Sequence, residues 1–152
     1  MTTFSDLKGP VTSDIQNELT PQEAMVWLEE GHARFQSQSP RSRNHGQLLE
    51  GASKGQFPYA AVLGCIDSRA PIEHIFDAQI GDLFVARVAG NVINGDVLGS
   101  LEYACKYAVL LLLSSEAWEI KAWIIKKIAN VTDSAIINLS IFFVLIIIFC
   151  SY

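Results

Sequence analysis

Three side chains that can bind metals or transfer protons stand at alternate positions in the segment Cys65-Ile66-Asp67-Ser68-Arg69. In an extended backbone, residues two apart share one face, so Cys65, Asp67 and Arg69 can point into a common cavity. A thiolate and a carboxylate are metal ligands, and a guanidinium can hold a carboxylate in one orientation. The spacing therefore predicts the beginning of a metal site.

The elements around this segment predict a parallel α/β core. Three apolar segments predict strands, at residues 59–65, 82–88 and 108–113. Between them, residues 71–76 and 97–107 predict helices. Buried parallel strands are continuous apolar runs, and ligands of such sheets gather beyond the carboxyl ends of the strands. The motif that begins at Cys65 lies at that end of the first strand.

A helix is predicted ahead of the core. Thr20 supplies an N-cap, Pro21 the first helical position and Glu23 the second half of a capping box. Apolar residues then recur at helical spacing, namely Ala24, Trp27, Leu28, Gly31 and Phe35. Residues 1–19 are polar and aperiodic, which predicts a flexible arm.

Charge and cysteine content restrict the class of protein. The chain of 152 residues fits one domain, and its formal charge of −5 argues against a nucleic-acid-binding protein. Cysteines occur at positions 65, 105 and 150, too scattered for a disulfide framework. The first residues lack the basic and apolar regions of a signal peptide. We therefore expect a cytoplasmic protein with reduced thiols.

The composition changes in the last third of the chain. All ten glycines lie at or before Gly99 and all five prolines at or before Pro71, which suits a compact domain only up to that region. We define residues 107–152 as the tail. Residues 135–150 of the tail are mostly apolar and follow two lysines, as in a membrane anchor, but are shorter than the ~20 residues that usually span a bilayer. The rival interpretation is a frameshift, splice or truncation event after Lys106.

The motif from Cys65 to Glu73, together with the segment from Gly81 to Asn91, closely resembles the β-class carbonic anhydrases. The resemblance covers residues 20–106, so it implies an incomplete β-carbonic-anhydrase fold: a parallel-sheet α/β domain with an N-terminal helix, followed by the apolar tail. It also implies a zinc cofactor, reversible hydration of carbon dioxide to bicarbonate, and a homo-oligomer.

The resemblance also implies roles for individual residues. Cys65 would be a zinc ligand, and Asp67 would either pair with Arg69 or bind the zinc itself. Gln56 would donate a hydrogen bond to carbon dioxide or bicarbonate across a dimer interface. Phe84 would line the carbon dioxide pocket.

The chain departs from the family pattern after the third strand. The remaining zinc ligands are expected in a Gly-His-x-x-Cys-Gly turn, whereas residues 113–118 read Leu-Ser-Ser-Glu-Ala-Trp and no histidine follows His74. We therefore expect weak zinc binding and impaired activity. Two alternatives are a catalytically inactive dimerising fragment that associates with an intact family member, and a tail-anchored membrane protein that uses its α/β part as an interaction module.

Overall fold

The computed structural model describes residue 7 and residues 9–113, and it has the predicted α/β architecture. The helices, in chain order, are α1 (Ser13–Glu18), α2 (Pro21–Gln36), α3 (His45–Ala52), α4 (Ile72–Ile75) and α5 (Gly95–Tyr107). The strands are β1 (Ala60–Gly64), β2 (Leu83–Arg87) and β3 (Leu110–Leu113), and a 3-10 turn spans Ala89–Asn91. The predicted fold class is thus confirmed.

The three strands form one parallel sheet in the order β2-β1-β3. Ala60 is level with Leu83 on one side and with Leu110 on the other. All five residues of β1 are buried, because this central strand is covered on both faces. The carboxyl end of β1 therefore lies in the middle of the sheet edge at which the Cys65 motif begins.

Alternate residues of β1 contribute to two apolar cores. Ala60 and Val62 pack in a cluster with Trp27 and Leu28 of α2, while Ala61 and Leu63 pack with α5. This division follows from the period of two along a strand. The two cores fix β1 between α2 and α5, so the start of the Cys65 motif has a rigid support.

Helix α2 begins as the sequence predicts. The Thr20 hydroxyl accepts from Glu23 N at 3.3 Å, and the Glu23 carboxylate accepts from Thr20 N at 2.8 Å, which completes the capping box. The predicted apolar face is buried at its first four positions, whereas Phe35 remains 37% exposed near the end of the helix. Gly31 lies against α4, where an added Cβ would be 1.9 Å from Phe76 O.

Part of the segment 1–19, expected as a flexible arm, is ordered against the core. Residues 13–18 form α1, and Val11 is buried. The Gln16 side chain donates to Pro58 O at 2.6 Å and to Tyr107 O at 2.7 Å. Helix α1 thus holds together the chain just before β1 and the end of α5. Helix α1 begins after the N-cap Thr12, but its polar composition gives no apolar periodicity by which the helix could be predicted.

The sheet continues past the expected domain limit at residue 106. Helix α5 extends to Tyr107, Ala108 is buried, and residues 110–113 pair with β1. This part of the tail therefore belongs to the sheet. Residues 114–152, including the apolar segment 135–150, lie outside the described residues. Within the described part, no helix is long and apolar enough to cross a membrane.

A buried charge network lies near the amino end of β2. Asp77 accepts from Arg34 Nε at 2.6 Å, from Arg41 N at 3.2 Å, and from the Arg43 guanidinium. Asp82 accepts from the backbone N–H of Gln79 at 2.8 Å, and its carboxylate is 3.6 Å from Arg41 Nη2. Burial raises the pKa of Asp82 to about 6, because desolvation outweighs the Gln79 hydrogen bond and the nearby arginines.

Candidate functional site

The Cys65 motif forms a loop directly after β1. Cys65 is half-buried at the carboxyl end of the strand. Gly64 allows α4 to begin close by, since a Cβ there would be 2.9 Å from Ile72 Cδ1. The loop then turns back, and Ala70 N donates to Asp67 O at 3.1 Å. The thiol and the carboxylate are thus presented beyond the carboxyl end of the central strand.

Asp67 and Arg69 form an ion pair, which is one of the two arrangements that the resemblance implies for Asp67. Arg69 Nε donates to Asp67 Oδ1 at 3.0 Å, and Arg69 Nη2 donates to Asp67 Oδ2 at 2.7 Å. The backbone N–H of Arg69 adds a third bond, to Oδ1, at 2.9 Å. The side-chain bonds from Arg69, followed by this backbone bond, lower the pKa of Asp67 to about 2. Asp67 is therefore an anion with a fixed orientation at neutral pH.

Arg87 is a further member of this site that the sequence did not reveal. Its Nε donates to Cys65 O at 2.8 Å, and its Nη2 donates to Asp67 O at 2.6 Å. A signal for it exists in the sequence, because Arg87 ends the second parallel strand at the edge of the sheet where ligands gather.

The described residues do not complete a zinc site. Zinc sites of this kind use about three protein ligands, and no group of three His, Cys, Asp or Glu side chains in the described part of the chain could hold a metal ion. Both carboxylate oxygens of Asp67 accept bonds from Arg69. Of the histidines, His32 is buried in α2, and His45 and His74 are exposed on other helices. Cys65 and Asp67 alone therefore do not fit the metal within one chain.

Gln56 and Phe84 lie away from Cys65 in the same chain. Gln56 precedes β1, whereas Cys65 follows it, and a five-residue strand extends over on the order of 16 Å. Phe84 is level with Ala61, near the amino end of β1. The structure therefore does not bring these two side chains to the Cys65 loop of their own chain.

Gln56 and Phe84 instead meet Tyr103 of α5. Gln56 Nε2 donates to Tyr103 Oη at 3.4 Å, and the rings of Phe84 and Tyr103 meet edge to face with centroids 6.0 Å apart. Tyr103 is 52% exposed, and a cavity of about 650 Å³ opens between β2 and α5 beside it. We call these three residues the aromatic-amide face. Tyr103 was missed in the sequence, where its signal is an aromatic residue outside the apolar stripe of a helix.

Comparisons with known proteins agree with the resemblance. The family model for carbonic anhydrase matches residues 60–110. Carbonic anhydrase 2 of Mycobacterium tuberculosis is 45% identical over 85 residues, which are 55% of this chain and 41% of that protein. The carbonic anhydrase of Mycolicibacterium smegmatis is 44% identical over 85 residues, with the same shares of each chain.

A solved structure, that of the β-carbonic anhydrase CcaA, matches 57% of this chain and 42% of that chain, with 34% identity and a TM-score of 0.41. The chain thus spans less than half the length of these relatives. The N-terminal part of this chain is thus similar in sequence to carbonic anhydrases.

Proposed function

We propose that this chain carries half of a zinc site for the reversible hydration of carbon dioxide to bicarbonate, and that it is impaired as a catalyst on its own. The observation that carries the proposal is the Asp67–Arg69 pair, held by two side-chain bonds in the loop that Cys65 begins. The family match supports it, since residues 60–110 include all three side chains.

The described residues can prepare a reaction site but do not complete it. Arg69 keeps Asp67 ionised and oriented, so that its carboxylate can accept a hydrogen bond from a hydroxyl or water oxygen. Cys65 supplies one thiol. The impairment follows because a hydrating zinc site needs further ligands, which the described residues do not provide.

Metal analysis and stopped-flow measurement of carbon dioxide hydration test this proposal. We expect purified protein to contain far less than one zinc per chain and to hydrate carbon dioxide no faster than buffer. Near-stoichiometric zinc that is lost in Cys65→Ser, with hydration that is lost in Asp67→Ala, would show that the impairment is wrong and that another chain supplies ligands.

The aromatic-amide face favours a second candidate function, that of a dimerising fragment. Gln56, Phe84 and Tyr103 are together in the described part of the chain, at the opposite end of β1 from the loop that they would serve. A second chain can therefore receive the Gln56 amide at its own Cys65 loop, either in a homo-oligomer or in association with an intact family member. In that arrangement Gln56 and Phe84 contact carbon dioxide or bicarbonate at the partner's site, although the described residues of their own chain do not complete one.

Co-purification with an intact, differently tagged β-class carbonic anhydrase tests the second candidate. We expect the two chains to co-purify and Tyr103→Asp to prevent it, because a charge would be placed at an exposed contact. Leu49→Asp is the matched control, since Leu49 is also exposed but lies on α3. Absence of co-purification, or equal effects of the two substitutions, would rule out this interface.

A cytoplasmic location is proposed from the scattered cysteines, which predict reduced thiols. Membrane association through residues 135–150 concerns a segment outside the described residues. Sedimentation of the full chain with membranes, compared with that of a chain ending at Leu113, distinguishes these two locations.

A further inference from the structure

We propose that Arg87 is a positioning residue that fixes the Cys65–Asp67 loop against β2 and so sets the direction in which these two side chains meet their ligand. The nature of that ligand rests on the proposed function, whereas the positioning itself does not. The inference comes from two hydrogen bonds that join the end of one strand to the loop after its neighbour.

The backbone pairing between β1 and β2 ends at Arg87, whose side chain bonds to the loop that follows β1. Gly64 is the last residue of β1 and is level with Arg87, and Val88 N donates to Gly64 O at 3.1 Å. Beyond this bond, the Arg87 side chain reaches the carbonyl oxygens of Cys65 and Asp67. It therefore continues the connection between the two strands into the loop.

The Asp67–Arg69 pair cannot supply the same constraint. Its two members are two residues apart, so their bonds fix the carboxylate relative to the loop and not relative to the sheet. Arg87 belongs to a different strand, and its bonds define where the loop sits. If the loop moved as a unit, Asp67 and Arg69 would stay paired but would no longer face the same direction.

The guanidinium suits this role because its donors are held in one plane. Nε and Nη2 are adjacent donors, and here they bond to two carbonyl oxygens at 2.8 and 2.6 Å. A lysine ammonium keeps the charge but lacks this fixed pair of donors. Lysine at position 87 should therefore preserve the positioning in part, and alanine should remove it.

Hydrogen exchange measured by mass spectrometry on the full chain tests the proposal. In Arg87→Ala, we expect exchange of the Arg69 and Ala70 amides to rise at least about tenfold, because hydrogen bonds from a charged donor are lost. Exchange in β1 and α2 should stay as in the unaltered chain. Arg87→Lys should give a smaller rise at the same two amides, and it serves as the second variant if the alanine variant does not fold.

Two controls make the result specific to Arg87. In Arg69→Ala, the Ala70 amide should remain protected, because Arg87 still holds the loop. Residue-specific alkylation by iodoacetamide should become faster at Cys65 in Arg87→Ala and stay unchanged at the buried Cys105. Faster exchange throughout the chain, or an unchanged loop, would overturn the proposal. Neither measurement requires zinc or carbon dioxide, so the outcome is independent of whether the proposed function is correct.

Discussion

The carboxylates of two buried aspartates near the amino end of β2 have different numbers of hydrogen-bond donors and arginines around them. Asp77 accepts from groups on Arg34, Arg41 and Arg43, whereas Asp82 has one backbone donor and a guanidinium 3.6 Å away. Desolvation therefore dominates at Asp82 and raises its pKa to about 6. This carboxyl lies at the opposite end of the sheet from the Cys65 loop, so its charge affects stability rather than the candidate site.

Asp82 should make stability fall as pH rises from 3.8 to about 6. In this window the folded state keeps a proton on Asp82 that the unfolded state releases. The stabilising contribution of Asp82 is therefore fully present below pH 3.8 and is lost above pH 6. The free energy of unfolding differs between these two limits by on the order of 3 kcal/mol. Asp82→Asn should gain stability relative to the unaltered chain between pH 4 and pH 7, measured by urea unfolding at each pH. A difference that does not change with pH would contradict this expectation.

Single residues of the candidate site were predictable where they lie together in a short motif. The pairing of Asp67 with Arg69 was implied by the resemblance that the motif from Cys65 to Glu73 carries. Arg87 and Tyr103 could not be found in this way, because their partners are 19 to 47 residues distant along the sequence. Their roles depend on strand register and on which face of α5 is exposed.

At the scale of elements, the approach of α2 to α4 depends on one glycine. A Cβ at Gly31 would be 1.9 Å from Phe76 O and 2.7 Å from Phe76 C, and both are backbone atoms that cannot rotate away. The two helices can therefore be this close only while position 31 has no side chain. This contact also fixes the backbone next to Asp77, whose carboxylate binds the arginines of the buried charge network.

Gly31→Ala should destabilise the protein by about 1–3 kcal/mol, because helix α2 must shift away from α4. Gly99→Ala is the matched control, since Gly99 is also inside a helix but has no atom within 4 Å of an added Cβ. The control should be stabilised by about 0.5–1 kcal/mol through improved helix propensity. The measurement is thermal or urea unfolding of both variants. Equal effects would show that α2 and α4 are not in close contact.

Most elements were predictable because they carry strong local signals. The capping box marks the start of α2, and continuous apolar runs mark β1 and β3. Helix α1 was missed because it is short and polar, and its stability comes from Gln16 bonding to Pro58 and Tyr107 rather than from an apolar stripe. The limit at residue 106 followed the extent of the family resemblance and the change in composition, although residues 108–113 were predicted as the third strand, which pairs with β1.

At the scale of the whole molecule, the described sheet ends at Leu113 and the apolar tail continues beyond it. Residues 141–149 are nine consecutive apolar residues without charge or proline, a pattern that promotes self-association. A chain ending at Leu113 retains β3, which truncation at residue 107 would remove. The useful boundary for solution studies is therefore after Leu113.

The full chain should aggregate in water, whereas the chain ending at Leu113 should remain more soluble and keep the helical content of the described residues. Light scattering and circular dichroism at matched concentrations test this. Truncation after Tyr107 is the control, because it removes β3 and should leave a loosely folded product. A full chain that stays monomeric and unfolds cooperatively, with a protease-resistant C-terminus, would show that the tail is a structural element.

The opposite placement of Gln56 and Cys65 along β1 has a quantitative consequence for mixtures. In a pair formed with an intact family member, this chain would donate its aromatic-amide face to the partner's complete set of ligands. The reverse donation would reach a Cys65 loop for which the described residues supply no further metal ligands. Each mixed pair would then have one working site for its one intact chain, the same ratio as in an intact pair. Titrating this chain into a fixed amount of intact enzyme should therefore form mixed pairs while the rate per intact chain stays unchanged, which distinguishes a pairing partner from an inhibitor that abolishes activity.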